Sequence, residues 1–305
     1  MVHLPKKIRR ALPVLLAVIS AAGLMVQSAN EHRALAVSTT QQELRRLTLL
    51  AVDQQNRLID ETRQLMGILV KLPQVSGNDR EACEQLLQFV LDGDALYTGF
   101  AVATTDGNLV CSAPSSADLV NVADRPYFQR TLNSGGFSVG DYQIGRITKK
   151  AGIAFGYPLK DERGQAQKVL IASHDLAWLN KFAEQADLPP GATLTVVDNK
   201  GIILVRYPGT ELVGMSAPEQ KLPITKVNLV ERGFGIAEVK GDDGAPYLMA
   251  FAPLRQEPQE GFLHLVLTVP KSTVTASVDK TFARNISGLT IASLFSLILL
   301  RFPAL

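Results

Sequence analysis

Histidine is scarce in this 305-residue sequence, and its four copies, His3, His32, His174 and His264, fall in no spacing that would hold a metal ion. The sequence also lacks a kinase glycine-rich motif, a GGDEF-like string, a Walker loop, an HExxH and a GxSxG. Neither a catalytic activity of this chain nor a metal or cofactor is therefore expected. Charge of one sign is missing as well. Thirty-one basic residues face 29 acidic ones, the formal charge is +2, and no basic patch argues for nucleic acid. Cysteine is limited to Cys83 and Cys111. An oxidising compartment would favour their pairing, and two buried thiols are the alternative. Long hydrophobic runs are confined to the two ends, which excludes a transporter-like chain.

The first run, residues 12–28 (LPVLLAVISAAGLMVQS), is uncharged and follows Lys6, Lys7, Arg9 and Arg10, so the positive-inside bias puts residues 1–11 in the cytoplasm. It is short for a span of about 20 residues. A cleaved signal peptide ending near Ala29 is the competing reading. The second run, residues 286–300 (ISGLTIASLFSLILL), is closed by Arg301, and a second span over residues 286–302 would return the chain to the inside. Residues of about 30–285 are then expected outside, in the periplasm of a bacterium whose inner membrane holds both ends. The ending ILLRFPAL resembles an interrupted membrane helix, as in a truncated chain, a frameshifted gene or a subunit whose output lies on another chain.

Residues 30–72 contain no proline and almost no glycine, which predicts one long stalk helix over 30–73. Leu44, Ala51, Leu58, Leu65 and Leu72 recur every seven residues, with Leu47 and Ile68 at the offset of three. That pattern suits a dimer seam or a helix lying along its own domain; Gln54 and Glu61 at offset positions weaken a simple coiled coil. After Pro73 a short helix is expected over 79–91, then a hairpin over 99–111 around Asp106-Gly107. A second hairpin over 192–207, around Asn199-Lys200-Gly201, repeats that design. Gly136-Phe137 answers Gly233-Phe234, Pro158-Leu159 answers Pro253-Leu254 and Pro114 answers Pro208, all at an offset of roughly 95 residues. Three further strands follow each hairpin, over 137–147, 151–159 and 167–174 in the first copy and 233–240, 246–253 and 262–269 in the second. The expected class is α/β (α+β): a long N-terminal helix and two tandem PAS-like modules, each an antiparallel five-stranded sheet with helices on one face, flanked by two transmembrane helices.

Several segments resemble the double Cache sensor domains of bacterial transmembrane receptors, over roughly residues 35–284. They are the long first helix, the cysteines before and at the end of the first hairpin, ADRPYF at 123–128, VGDYQIGR at 139–146 and VDNKGIILVRYPG at 197–209. The resemblance implies a membrane-distal module over 79–188 that holds a small ligand, a proximal module over 189–272 that transmits, a connecting helix over 273–285 and a homodimer. It also implies signal transduction to a histidine kinase of a two-component system, a diguanylate cyclase or a chemoreceptor domain. An exported binding protein with a cleaved signal peptide is the alternative.

The candidate recognition residue is Arg125, because a guanidinium fork holds a carboxylate through two charge-assisted bonds. A helix-start salt bridge with Asp124 is its plainer role. Tyr127 and Phe128 could wall the same pocket. Tyr142 and Arg146, four apart, are expected on one strand face. Asp175, at a strand end, could accept an ammonium or cap the next helix, and Tyr157 could close the pocket or pack. The amino-acid-binding subset of the family is similar in Arg125, Tyr127, Phe128, Tyr142 and Asp175, but prefers tryptophan then tyrosine where this sequence has Tyr127 and Phe128. The two cations Arg125 and Arg146 point instead toward a carboxylate or dicarboxylate. The second copy offers APEQKL at 217–222 in place of DRPYF, so its pocket is expected to be empty or vestigial.

Overall fold

A computed structural model of the chain describes residues 6–116, 120–198, 200–226, 233–254 and 263–301. The turn residue Asn199, the strand residue Phe262 and the end of the second apolar run after Arg301 lie outside the described residues. Helix α1 (Lys6–Leu69) runs 64 residues without a break, about 96 Å at 1.5 Å per residue. It ends where Pro73 removes a backbone donor and opens the single turn α2 (Pro73–Ser76). Helix α3 (Arg80–Gly93) starts at Asp79, whose carboxylate accepts from the Ala82 amide at 3.1 Å.

The first sheet contains β1 (Tyr97–Thr104), β2 (Leu109–Ala113), β3 (Ser138–Ile144), β4 (Ala151–Lys160) and β5 (Ala166–Asp175) in the order β2-β1-β5-β4-β3, every pair antiparallel. Helix α4 (Pro126–Ser134) lies between β2 and β3, and α5 (Ala177–Gln185) follows β5. The second sheet repeats the plan with β6 (Thr193–Val197), β7 (Ile203–Tyr207), β8 (Gly235–Lys240), β9 (Pro246–Pro253) and β10 (His264–Pro270), ordered β7-β6-β10-β9-β8. Among the described residues, a four-residue 3₁₀ turn, Pro223–Lys226, stands in the second module between β7 and β8, where the first has α4. The chain closes with α6 (Lys271–Arg301).

One continuous apolar core joins both modules. It takes Leu44, Ala51, Ile59 and Met66 from α1, Phe155 and Leu170 from the first sheet, Leu179 from α5, and Leu194 and Leu265 from the second sheet. The long helix therefore lies along its own domain, and its buried stripe differs from the heptad pattern. Leu44, Thr48, Ala51, Gln55, Ile59, Thr62, Met66 and Leu69 are buried, whereas Leu58 and Leu65 are half-buried and Ile68 is 61 % exposed. An α-helix of 3.6 residues per turn drifts roughly 20° per heptad away from a strict seven-residue repeat, so the heptad set leaves the inner face. Nor are the helices confined to one side of the first sheet, as expected. Helix α1 covers one face and α4 the other, the latter over a second small core of Ala101, Ala154, Phe128 and Ile171.

Helix α6 runs antiparallel to the first part of α1, since Pro13 to Ala21 share a groove with Leu289 to Ser296, and Leu24 to His32 share another with Ser277 to Asn285. Arg33 ties the pair together through Asp279 at 2.7 Å. Two membrane spans were expected. Among the described residues one helix, α1 from Leu12 on, is long and apolar enough to cross a membrane, with an 18-residue window of mean hydropathy 1.9 that is 6 % buried. In the second run the hydroxyls of Ser287, Thr290, Ser293 and Ser296 all donate to carbonyls one turn back, at 2.6–2.8 Å.

Candidate functional site

The hairpin β1–β2 builds the platform of the site. Gly107 sits in its turn at φ +83°, a conformation that favours glycine. A Cβ at this residue would overlap the Ala123 backbone nitrogen. That close approach lets the segment from Val120 to Arg125 dock on the hairpin, with the Leu109 amide donating to the Val120 carbonyl and the Val122 amide to the Gly107 carbonyl at 2.9 Å. The segment ends at Arg125, which occupies the N-cap of α4 ahead of Pro126 and contributes no side-chain cap. Its guanidinium is thereby free to turn toward the sheet.

Between this segment, the outer face of β1 and β5, and the loop after β3 lies a half-open hollow of about 50 Å³. Gly99, Ala101 and Ser173 form its floor, and Arg125, Tyr127, Gln143, Arg146 and Thr148 lie around it. Arg125 makes one hydrogen bond, to the Ile144 carbonyl at 3.3 Å, and among the described residues no carboxylate pairs with it. Arg146 does pair, through two bonds of 2.7 Å to the Asp124 carboxylate, and also donates to the Asn121 carbonyl. The Arg146 guanidinium holds the Asp124 carboxyl below the usual carboxylate range. Tyr127 is buried, and desolvation pushes its hydroxyl up to about 12, against the pull of the Arg125 charge and of a hydrogen bond with Gln143.

Of the sequence candidates, the structure brings together Arg125, Tyr127 and Arg146. The salt bridge with Asp124 or another acid weighed for Arg125 does not form among the described residues; Asp124 pairs with Arg146 instead. Phe128 is 1 % exposed and belongs to the small core under α4 rather than to the wall. Tyr142 does not share a face with Arg146. The strand ends at Ile144, before Arg146, so the alternation that would pair them does not reach it, while a bulge between Val139 and Tyr142 puts both of those residues on the core side. Tyr142 packs against the main core on the helix side, and its neighbour Gln143 reaches the hollow instead. Tyr157 is also on the helix side, its ring 3.4–3.7 Å from where a Cβ on Gly67 of α1 would lie. Asp175 lies two residues past Ser173 on β5, outside the wall of the hollow. Gln143, Thr148 and Ser173 were missed. The bulge hides Gln143, and no motif marks a threonine or a serine.

Cys83 of α3 and Cys111 of β2 form a disulfide with a Cα–Cα distance of 6.1 Å, closing the platform beside the hollow. On the opposite face of β5, His174 is buried against Thr62 of α1 at 2.8 Å. Thr62 donates to the Leu58 carbonyl at 2.7 Å, so it accepts from His174. Burial lowers the His174 pKa to about 4, against a small upward pull from Asp94. Adjacent residues of one strand thus face the hollow (Ser173) and the long helix (His174). A larger cavity of 510 Å³ lies between α1 and α6, but its wall, which includes Leu24, Met25, His32 and Phe282, carries no lysine, arginine, aspartate or glutamate.

The sequence matches no protein-family model, and it matches no curated protein. Solved structures do match in fold. The extracellular domain of a protein described as histidine kinase rpHK1S-Z16 aligns at TM-score 0.64 and 15 % identity, over 79 % of this chain and 98 % of that one. The ligand-binding domain of Mlp24 with asparagine aligns at TM-score 0.63 and 18 % identity, over 81 % and 99 %. The ligand-binding domain of the Pseudomonas fluorescens chemoreceptor CtaA with L-isoleucine aligns at 0.60 and 18 %, over 80 % and 98 %. These are sensor domains, and their paired sheets and long first helix are those found here.

Proposed function

From a double Cache fold, we propose that this chain is the extracytoplasmic ligand-sensing part of a membrane signal-transduction receptor. The first module is the membrane-distal one, and it binds a small carboxylate-bearing molecule, an organic acid or an amino acid. The observation that carries this reading is Arg125: a guanidinium beside a hollow, bonded to one carbonyl at 3.3 Å, with a tyrosine and small polar side chains around it. Three solved domains of the same fold supporting it are named for sensing proteins, two of them with an amino acid bound. The unbroken course of α1 from Lys6 to Leu69 supports an uncleaved anchor, because cleavage near Ala29 would fall in mid-helix. Homodimers would use the outer face of α1, where Leu35, Leu49 and Leu50 are exposed.

Binding would shift a pre-existing balance between two packings of β5 against α1, through Ser173 on one face and His174 on the other. The α1–α6 pair would carry that shift toward the membrane. Thermal-shift screening of the full chain in detergent against amino acids and organic acids tests the proposal. A stabilising carboxylate is expected, with affinity falling roughly tenfold to a hundredfold in Arg125→Gln. Unchanged affinity in that variant would remove the site from the first module.

A further inference from the structure

The charge balance around the hollow narrows the ligand class, an inference that rests on the sensor reading above. Among the described residues its wall carries two guanidinium groups and no carboxylate. Arg146 is already committed, with both terminal nitrogens on Asp124 at 2.7 Å and one also on the Asn121 carbonyl. Among the described residues Arg125 bonds a carbonyl and no carboxylate. One uncompensated cation therefore faces the space, enough for one carboxylate.

Among the described residues of the wall, a second carboxylate on the ligand would have no cation left to meet, and an ammonium would have no anion. Asp124 is spent on Arg146, and Asp175 stands outside the wall with a partner of its own. A charge taken out of water without a partner costs several kcal/mol or more, whereas a hydroxyl or carbonyl needs only one hydrogen bond. Tyr127, Gln143, Thr148 and Ser173 supply such neutral donors and acceptors. The small volume, about 50 Å³, favours a chain of few carbons.

We propose that the hollow selects short monocarboxylates without an amine, 2-hydroxy or 2-oxo acids, and that Asp124 sets this selectivity by cancelling the charge of Arg146. Asp124 is thus a specificity-determining residue that never needs to touch the ligand.

Titration calorimetry of the full chain in detergent with four probes tests both halves: L-lactate, L-malate, L-alanine and L-aspartate vary the second carboxylate and the amine independently. Wild type is expected to bind lactate roughly tenfold or more tighter than the other three. Asp124→Asn frees Arg146 and should raise malate affinity relative to lactate by roughly tenfold or more. Alanine binding as tightly as lactate overturns the exclusion of an amine. Malate preferred by wild type, or an unchanged ratio in Asp124→Asn, overturns the role of Asp124. If none of the four binds, the inference fails, while any carboxylate from the wider screen that Arg125→Gln releases still upholds the sensor reading. Should Asp124→Asn not fold, Asp124→Ser decides by the same malate-to-lactate ratio, for which a rise of roughly tenfold or more is expected. An unchanged ratio there overturns the proposal.

Discussion

The two modules share a backbone plan, and side-chain volume separates them. In the first sheet Ile171 is flanked by Ala101 and Gly156, and Ser173 by Gly99 and Ala154. At the matching places of the second sheet Val266 lies between Thr195 and Phe251, and Thr268 between Thr193 and Met249. Four small residues are thus replaced by two threonines, a phenylalanine and a methionine. Arg206 fills the second module further, donating to Thr195 at 3.1 Å where Ser112 faces Ala101 in the first; burial lowers its pKa, against the pull of Glu211. The docking segments also correspond. The Val122 amide meets the Gly107 carbonyl at 2.9 Å, and the Ala217 amide meets the Gly201 carbonyl at 2.8 Å. At the position of Arg125 the second segment has Gln220. A duplicated fold can therefore keep its scaffold while one copy retains a space and a cation and the other closes both.

The largest expected effect breaks this contrast by emptying the second module. Phe251 is 1 % exposed, so Phe251→Ala should cost about 3–5 kcal/mol through lost burial and a cavity. Ala101→Thr, which imports the second module's residue into the first, should cost less than about 2 kcal/mol while blocking ligand binding. Equal costs in denaturant titration would mean that the second module is not filled as described.

A second prediction concerns the helix-facing side of the first module. The folded-state pKa of His174, about 4, lies below the unfolded value near 6.5, so the unfolded chain takes up a proton first as pH falls. The stabilising contribution of neutral His174 should be intact above pH of about 6.5, decline between about 6.5 and 4, and level off below. The full loss is on the order of 3 kcal/mol. Asp94 is the charged group acting on the ring, and Tyr97 and Thr62 are the polar groups packed against it. A His174→Gln chain that keeps the same pH slope would assign the effect elsewhere.

The smallest effect sharpens the comparison of the two turns. Gly107 and Gly201 have nearly equal backbone, φ +83° and +79°. A Cβ on Gly201 would meet only Pro218, at 3.2 Å, whereas one on Gly107 would overlap the Ala123 backbone. Both alanine variants pay for the left-handed conformation, and Gly107→Ala should be the less stable by roughly 1–2 kcal/mol. It should also weaken ligand binding, since the displaced segment carries Arg125. Identical melting shifts for the two variants would remove the close approach from the account.

Much of this was legible from residues alone because the signals are local. The absence of proline and near-absence of glycine over residues 30–72 mark the greater part of α1, alternation and turn glycines mark the strands, and the offset of roughly 95 residues marks the repeat. Arg125 was visible because a lone arginine before proline and aromatics suits a carboxylate site. Tyr142 was misplaced because it was paired with Arg146 by alternation, and the strand ends at Ile144, a boundary this stretch of sequence does not mark. The heptad reading of α1 counted leucines, whereas the buried stripe also takes in Thr48, Gln55 and Thr62.

The sequence by itself determined the elements, their order, the duplication and the apolar N-terminal helix, since each follows from hydrogen-bonding capacity and hydrophobic period along the chain. Only the tertiary structure decided which side chains meet. The pairing of Arg146 with Asp124, the exclusion of Tyr142 and Tyr157 from the hollow, and the contact of His174 with Thr62 join groups separated by 22 to 112 residues or lying on opposite faces of one sheet. Such contacts are set by strand register and packing, which no local pattern encodes.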